Sequence, residues 1–259
     1  MGNNPLSKDD LNKILGIAME VGNAILQCGG EVRRVEDAIS RICMAYGCTD
    51  ADVFSLTSEI VATASYGTIR HTQSKRIHYY AYNLKRLENI NALSREICRE
   101  TPDPDWVHDQ LAKIIKAGKI NPLKRYVGFG LAAMGFTIFF GGNWIDAPAS
   151  LAVASVIFLI EHYIRKERIN QLAYTITASF IAGLFAVGIH AIFGALDLNA
   201  IIIGNVMLMI PGVSFTNGVR DLLGGDIAAG FLRVSEAVLI SIAIAAGFAL
   251  PLLMIGGAS

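Results

Sequence analysis

The stretch that decides the fold of this chain is Leu172–Phe193, LAYTITASFIAGLFAVGIHAIF, which contains no Lys, Arg, Asp or Glu. Further apolar runs fill the rest of the second half of the chain: Val127–Phe140, Ala147–Ile160, Leu198–Ile210 and Val234–Ile255. A hydrocarbon core about 30 Å thick is crossed by roughly 20 helical residues, and flanking residues bring the shorter runs towards that length. The sequence therefore predicts an all-α membrane domain of five transmembrane helices over residues 123–259.

Most charged residues lie before residue 123, where two other patterns occur. Apolar residues at helical spacing predict four helices, at Ser7–Gln27, about Glu31–Ala45, Leu84–Ile97 and about Asp105–Ala117. Between the second and third helices, apolar and polar residues alternate over Phe54–Tyr66, and a return strand follows at Ile69–Tyr80. This alternation predicts a β-hairpin with Phe54 and Ile60 on its buried face. We therefore expect residues 1–122 to form a cytosolic α+β domain.

Composition narrows the class of protein. Hydrophobic residues make up 53% of the chain and the mean hydropathy is +0.46, which exceeds the values of ordinary soluble domains. No basic stripe is interleaved with aromatic residues, so we expect no nucleic-acid partner. The four cysteines form no CxxC pair, which favours reduced cytosolic thiols over a metal site. We expect no metal and no cofactor.

Charge on the connections predicts the topology, because Lys and Arg on short loops favour the cytoplasmic side of a membrane. Basic residues stand before the first apolar run and after the second and fourth, at positions 124–125, 165–168, 220 and 233. The connections 141–146 and 194–199 contain none. This alternation predicts a multi-pass protein of the inner (plasma) membrane, with the N-terminus in the cytoplasm and the C-terminus outside.

Two groups of residues resemble the threonine/serine exporter family. The first is GNAILQCGGEVRRVEDAI at Gly22–Ile39, where a glycine, a small residue and an acidic residue precede an Arg-Val-Glu helix. The second consists of Ile210–Val213, Asn217-Gly218 and Asp221–Leu223. The chain is similar to the short form of the family, which has a cytosolic domain and five spans.

The resemblance implies export of small polar metabolites, either amino acids of the threonine and serine type or a dicarboxylate such as succinate. In short-form systems a separate small membrane protein supplies further spans, as in the paired inner-membrane proteins linked to succinate export. We therefore expect as partners the lipid bilayer, a small-molecule substrate, and either a second small membrane subunit or further copies of this chain.

The fourth apolar run and the residues that follow it contain the candidate substrate path. Pro211 and Gly212 interrupt a helix, and broken helices at membrane depth line cavities or are buried in protein. The half-helix that follows begins with free N–H groups, which can receive a substrate carboxylate. We assign the path to five residues: Asn205, Pro211, Gly212, Asn217 and Asp221. The alternative is that Pro211-Gly212 ends the span and that residues 217–225 form a cytoplasmic loop.

Two further sets of polar residues are candidates for function. Glu161 and Glu236 lie near the ends of apolar runs and are candidates for proton coupling, although carboxylates there can also reach water. The cytosolic motif supplies the second set: Gly30, Glu31, Arg34 and Glu36. Its charges form either a solvated helix face or a docking surface, in which Arg34 and Glu36 contact the cytoplasmic loops of the membrane domain.

Three classes of function remain open from the residues. The first is a subunit of a secondary transporter, since the chain has no GxxxxGK[ST] motif for ATP. The second is a membrane-bound enzyme, but GxSxG and HExxH are also absent, so we expect no catalytic residues. The third is a membrane-anchored regulator or scaffold with a cytosolic sensing domain, which the broken fourth run disfavours.

Overall fold

The computed structural model describes residues 6–77, 82–117, 121–164 and 170–256. Within these ranges the protein is mostly helical, with one small three-stranded sheet. The chain divides into two compact units: Met1–Lys119 with Val213–Val234, and Ile120–Gly212 with Ser235–Ser259. The first unit thus includes a segment from the predicted membrane half. The division into a cytosolic domain, 1–122, and a membrane domain, 123–259, stays a prediction.

Two packed helices open the first unit, α1 (Lys8–Gln27) and α2 (Val32–Ala45). Ser7 caps α1, because its hydroxyl accepts the Asp10 N–H and the Asp10 carboxylate accepts the Ser7 N–H, each at 3.1 Å. This capping box satisfies donors that the first helical turn leaves open. Gly22 allows close packing, since a Cβ there would lie 2.5 Å from Cδ1 of Ile39 in α2. Both predicted helices are confirmed.

The turn at Gly67 and the return strand of the predicted β-hairpin are confirmed, but the stretch predicted as its first strand forms two strands, so the described sheet has three antiparallel strands. These are β1 (Asp50–Ser55), β2 (Glu59–Tyr66) and β3 (Ile69–Arg76), in the order β1-β2-β3. The chain turns at residues 56–58, inside the stretch predicted as one strand. Ile60 is buried as expected, whereas Phe54 is 60% exposed. The part of the predicted return strand at 78–80 lies outside the described residues.

Two more helices complete the N-terminal part of this unit, α3 (Leu84–Glu100) and α4 (Pro104–Ala117). The Asn83 side chain caps α3 by accepting the Arg86 N–H at 2.9 Å. Thr101, with φ of 44°, ends the helix just before Pro102. Buried side chains of α1, α2, β2, α3 and α4 share one hydrophobic core. The third and fourth predicted helices are therefore confirmed.

The described residues of the apolar half form six helices: α5 (Pro122–Phe139), α6 (Asp146–Ile164), α7 (Gln171–Ile192), α8 (Leu198–Met209), α9 (Gly212–Leu223) and α10 (Ile227–Gly256). The first four, with α10 from Ser235 onward, form the second unit, whereas α9 and the start of α10 belong to the first. In the second unit, the buried Asp146 carboxylate accepts the N–H groups of Asn143 and Asp197 at 2.6 and 2.9 Å. Asp146 thereby links connections 141–146 and 194–199, which lack basic residues, through hydrogen bonds.

Among the described residues, α7 and α10 are long and apolar enough to cross a membrane. A third span results if α8 and α9, which a bend separates, are counted as one. These assignments rest on length and composition. The count of five spans stays a prediction, and the basic segment 165–168 used for the topology lies outside the described residues.

Candidate functional site

A glycine turn joins α1 to α2 in the first unit. Gly29 has φ of 90°, a conformation that favours glycine, and the Gly30 N–H donates to Ile25 O at 2.9 Å. A Cβ on Gly30 would lie 2.9 Å from that same carbonyl oxygen. Both positions therefore require glycine, and the backbone of the turn carries polar groups that other side chains can bind.

Four side chains from α9 and α10 bind this turn, and we call the resulting set of contacts the polar junction. The turn contributes the backbone of Gly29, Gly30 and Val32 and the side chain of Glu31, and the helices contribute Asn217, Arg220, Asp221 and Arg233. All of these residues belong to the first unit. The junction brings together both groups of residues on which the family resemblance rests.

Two contacts of the polar junction involve residues of the predicted substrate path. Asn217 Nδ2 donates to Gly29 O at 2.7 Å. The Val32 N–H donates to Asp221 Oδ1 at 3.3 Å, which places the carboxylate at the N-terminus of α2. A carboxylate is favourable there because the first turn of a helix carries free N–H groups and the positive end of the helix dipole.

A buried ion pair lies at the centre of the junction. Arg233 Nη1 lies 3.0 Å from Asp221 Oδ2, and the two side chains are only 4% and 1% exposed. The Arg233 guanidinium also donates to Gly30 O at 3.3 Å. Buried charges are tolerated only when they are paired and hydrogen-bonded, so each of these two residues depends on the other.

Close contact between α9 and α10 makes this pair possible. A Cβ on Gly230 would lie 2.7 Å from Gly218 O, and a Cβ on Gly218 would lie 3.0 Å from the Val234 N. The small residues let the two backbones approach, as glycine does in many helix pairs. Gly218 thereby contributes to the geometry of the junction although it has no polar side chain.

The charged residues of the cytosolic motif have different surroundings. Glu31 pairs with Arg220 at 2.5 Å, which adds an ion pair to the polar junction. Arg34 is half exposed and lies 3.7 Å from the same Glu31 carboxylate. Glu36 accepts the Ser55 N–H of β1 at 2.7 Å. The contacts to α9 are thus made by the glycine turn and Glu31. Arg34 contacts Glu31 and Glu36 contacts β1, and both contacts lie within the N-terminal part of the unit.

The Glu36 carboxyl has a perturbed acidity. Burial raises its pKa above the ordinary value and the nearby carboxylates of Asp226 and Asp221 raise it further, while the Ser55 N–H lowers it. Because the pKa is higher in the folded than in the unfolded protein, ionisation of Glu36 destabilises the fold. That cost is absent below the unfolded-state pKa of about 4.3 and is complete above the folded-state pKa.

Replacing Glu36 by glutamine should therefore stabilise the protein at neutral pH. The amide oxygen of glutamine still accepts the Ser55 N–H, and the buried charge is removed. We expect Glu36→Gln to raise the unfolding temperature by about 2–4 °C, with the gain fading as the pH falls from the folded-state pKa and absent below about 4. Thermal unfolding of the purified chain across pH measures this.

Glu88→Gln provides the control, since Glu88 is exposed and pairs with Lys85 at the surface, at 2.9 Å. It should give no gain at any pH. An unfolding temperature for Glu36→Gln at or below that of the wild type at neutral pH would contradict the interpretation.

The other predicted path residues lie in the second unit. Ile210 is extended, with φ of −60° and ψ of 129°, as a residue before proline prefers, and α9 begins directly after Pro211 at Gly212. The predicted half-helix is therefore confirmed, and Asn217 lies in a helix rather than in a loop. Asn205 is fully buried, and its amide donates to Ser150 Oγ at 2.9 Å.

The two candidates for proton coupling differ in exposure. Glu161 is bound by Arg125 at 2.6 Å, and its side chain is 17% exposed. The Arg125 guanidinium also lies 5.7 Å from the centroid of the Phe158 ring. Glu236, on α10, is exposed. Neither residue belongs to the polar junction, so their role in coupling stays a prediction.

Comparison with known protein families decides the class of protein. The family model ThrE, described as a threonine/serine exporter, matches residues 16–254. The chain belongs to the threonine/serine exporter family. The match includes both sides of the polar junction, and membership identifies a membrane protein of an exporter family.

Curated relatives of this exporter-family chain include fungal membrane proteins. Pheromone-regulated membrane protein 10 of Pichia sorbitophila is 26% identical over 180 residues, which cover 67% of this chain and 18% of that protein. The protein of the same name from Eremothecium gossypii is 21% identical over 227 residues, which cover 86% and 29%. The chain thus spans less than a third of the length of these relatives. No solved structure matches it.

Sequence reasoning missed several polar residues of this family member. Arg220 and Arg233 entered only as charges that indicate topology, and Thr137 and Ser150 did not enter at all. A signal for Arg233 exists, because it is a lone charge between Leu232 and Val234 at the start of a long apolar helix. A charge in that position indicates a paired residue of opposite charge, and the buried Asp221 is that residue.

Proposed function

We propose that this chain is a subunit of a secondary transporter that exports small polar solutes across the inner (plasma) membrane. The solutes are amino acids of the threonine and serine type or a dicarboxylate such as succinate. The observation that carries the proposal is the polar junction. It joins two segments that lie 189 residues apart at Val32 and Asp221, and both lie inside the family match.

The proposed architecture has five spans, a cytoplasmic N-terminus and an external C-terminus. It is supported by the apolar helices α7 and α10, by the bent pair α8 and α9, and by the alternation of basic and base-free connections. Five spans are few to enclose a path, so we include a second small membrane subunit or further copies of the chain.

In the proposed mechanism, Asn205, Pro211, Gly212, Asn217 and Asp221 line the path. The N–H groups at the start of α9 receive a substrate carboxylate, as free N–H groups of broken helices do in other transporters. Asn217 and Asp221 also bind the glycine turn, so we propose that the cytosolic motif controls access to α9. Proton coupling through Glu161 or Glu236 is part of the proposal.

Efflux of labelled solutes tests this function. Cells that express the chain alone, or with a candidate second membrane subunit, are loaded with labelled threonine, serine or succinate. Efflux of one solute above that of cells without the chain is expected. No efflux of any solute, with the proteins correctly inserted, would instead favour a membrane-anchored regulator or scaffold.

Asn217→Ala sharpens this test. Loss of the amide removes the bond to Gly29 O and one polar group of the path, so we expect efflux to fall about tenfold or more. The matched control is Asn199→Ala, because Asn199 is an exposed residue of α8 and should leave efflux unchanged. The amount of each variant in the membrane is measured in parallel. Normal efflux by Asn217→Ala would remove Asn217 from the path.

A further inference from the structure

A buried polar cluster lies between α5, α6 and α8 in the second unit, and it consists of Thr137, Ser150 and Asn205. All three residues are fully buried. Thr137 Oγ1 lies 2.7 Å from Ser150 Oγ and 2.9 Å from Ala133 O. Asn205 Nδ2 lies 2.9 Å from both Ser150 Oγ and Ile201 O. The cluster therefore connects three helices through side-chain polar groups.

These contacts set the orientation of the Asn205 amide. Ile201 O can only accept a hydrogen bond, so the NH₂ group of Asn205 must face it. The second N–H of that group donates to Ser150 Oγ, so Asn205 Oδ1 takes part in neither of these two hydrogen bonds. Among the described residues, this buried oxygen has no hydrogen-bond donor. Buried carbonyl oxygens are almost always satisfied, because an unmade hydrogen bond destabilises the folded state.

An amide oxygen accepts hydrogen bonds from O–H and N–H groups and does not donate one. A hydroxyl or an ammonium group therefore fits this position, whereas a fully ionised dicarboxylate has only acceptor oxygens to offer. We propose that Asn205 Oδ1 binds a hydroxyl or ammonium donor of the transported solute, and that Ser150 and Thr137 are positioning residues that hold the amide in this orientation. This inference rests on the proposed exporter function.

Access to the acceptor requires movement of the helices around it. A Cβ on Gly204 would lie 2.8 Å from Thr137 N, so the backbones of α8 and α5 touch beside Asn205. Any separation of these helices therefore opens the region around the amide. Alternating access in secondary transporters involves movements of this kind around a central site.

Solute-dependent stabilisation of the purified full-length chain, alone and with the second subunit, tests the inference. The unfolding temperature is measured against the concentration of serine, threonine and succinate. Wild type should be stabilised by serine or threonine, and Asn205→Leu should need about tenfold more of the same solute. Ser150→Ala, which removes the acceptor of the Asn205 amide, should also weaken binding and remains informative if Asn205→Leu does not fold.

Thr137→Val and Thr177→Val form a matched pair. Each threonine hydroxyl donates to the carbonyl four residues earlier, but Thr177 is exposed on α7 and lies outside the cluster. Only Thr137→Val should weaken binding. The inference is overturned if succinate alone stabilises the protein, if no solute does, or if Asn205→Leu responds as the wild type does.

Efflux assays on the same variants separate this inference from the proposed function. Efflux of succinate that is unaffected by Asn205→Leu would overturn the inference and leave the exporter standing. Absence of all efflux by the wild type would overturn the exporter itself. If a water molecule rather than the solute is the donor to Asn205 Oδ1, Asn205→Leu should leave solute binding unchanged. That is the overturning result given above.

Discussion

Replacing Arg233 by methionine is expected to lower the free energy of unfolding by about 3–5 kcal/mol. Methionine keeps much of the side-chain volume but removes the charge that lies 3.0 Å from Asp221 Oδ2. The Asp221 carboxylate is then buried without a counter-charge, and Gly30 O loses its donor. Chemical unfolding of the purified chain in detergent, followed by circular dichroism, measures the loss.

A matched control and a double variant isolate the buried pair. Arg220→Met removes the same group from an exposed ion pair with Glu31, at 2.5 Å, and should have a small effect because exposed pairs contribute little. The double variant Arg233→Met/Asp221→Leu should recover most of the loss, because a buried pair replaced by apolar residues is often neutral. If Arg233→Met is no worse than Arg220→Met, the pair is not the centre of the junction.

Gly204→Ala is expected to destabilise the second unit by about 1–3 kcal/mol. A Cβ at this position would lie 2.1 Å from Thr137 Oγ1, 2.8 Å from Thr137 N and 2.9 Å from Thr137 Cα. Two of these atoms belong to the backbone of α5, so the clash cannot be relieved by rotating a side chain. The two helices must move apart, which also disturbs the contact between Thr137 and Ser150.

Gly135→Ala is the control, because Gly135 lies on the same helix as Thr137 and, beyond the nearby backbone of its own helix, no atom of the described residues lies within 4 Å of the Cβ position. Alanine is the better helix former by about 1 kcal/mol, so this variant should be as stable as the wild type or more so. Equal unfolding curves for Gly204→Ala and Gly135→Ala would show that α5 and α8 do not touch at this point.

The periodicity of the sequence predicts some features of the sheet and misses others. The alternation over Phe54–Tyr66 correctly predicts strands, and it correctly places Ile60 and Ala62 inside. It misses the turn at residues 56–58, because Leu56 and Thr57 continue the alternation and only Ser58 departs from it. In an antiparallel pair, opposite residues share a face, and Val53 faces Ala62. The inward positions therefore change from odd to even numbers across the turn, which leaves Phe54 exposed.

The candidate site likewise combines features that the sequence predicts with contacts that it does not predict. Proline before a short polar helix predicts the break at Pro211, since the residue before proline avoids the helical region whatever its surroundings. The partners of Asn217 and Asp221 are not predictable from spacing, because the glycine turn lies almost 190 residues earlier in the chain. The sequence allows Arg34 and Glu36 to be docking residues, yet the α9 contacts are made by the neighbouring backbone and by the Glu31 side chain.

The sequence by itself determined the features that depend on neighbouring residues. These are the capped start of α1 at Ser7, the ends of helices at glycine and proline, the apolar runs, and the family to which the chain belongs. Only the tertiary structure decided which polar groups satisfy each other: Arg233 with Asp221, the glycine turn with Asn217, and Ser150 with Asn205. The physical reason is that capping and periodicity act over a few residues. The cost of a buried charge or amide, in contrast, is met by whichever partner the packing of distant helices brings within hydrogen-bond distance.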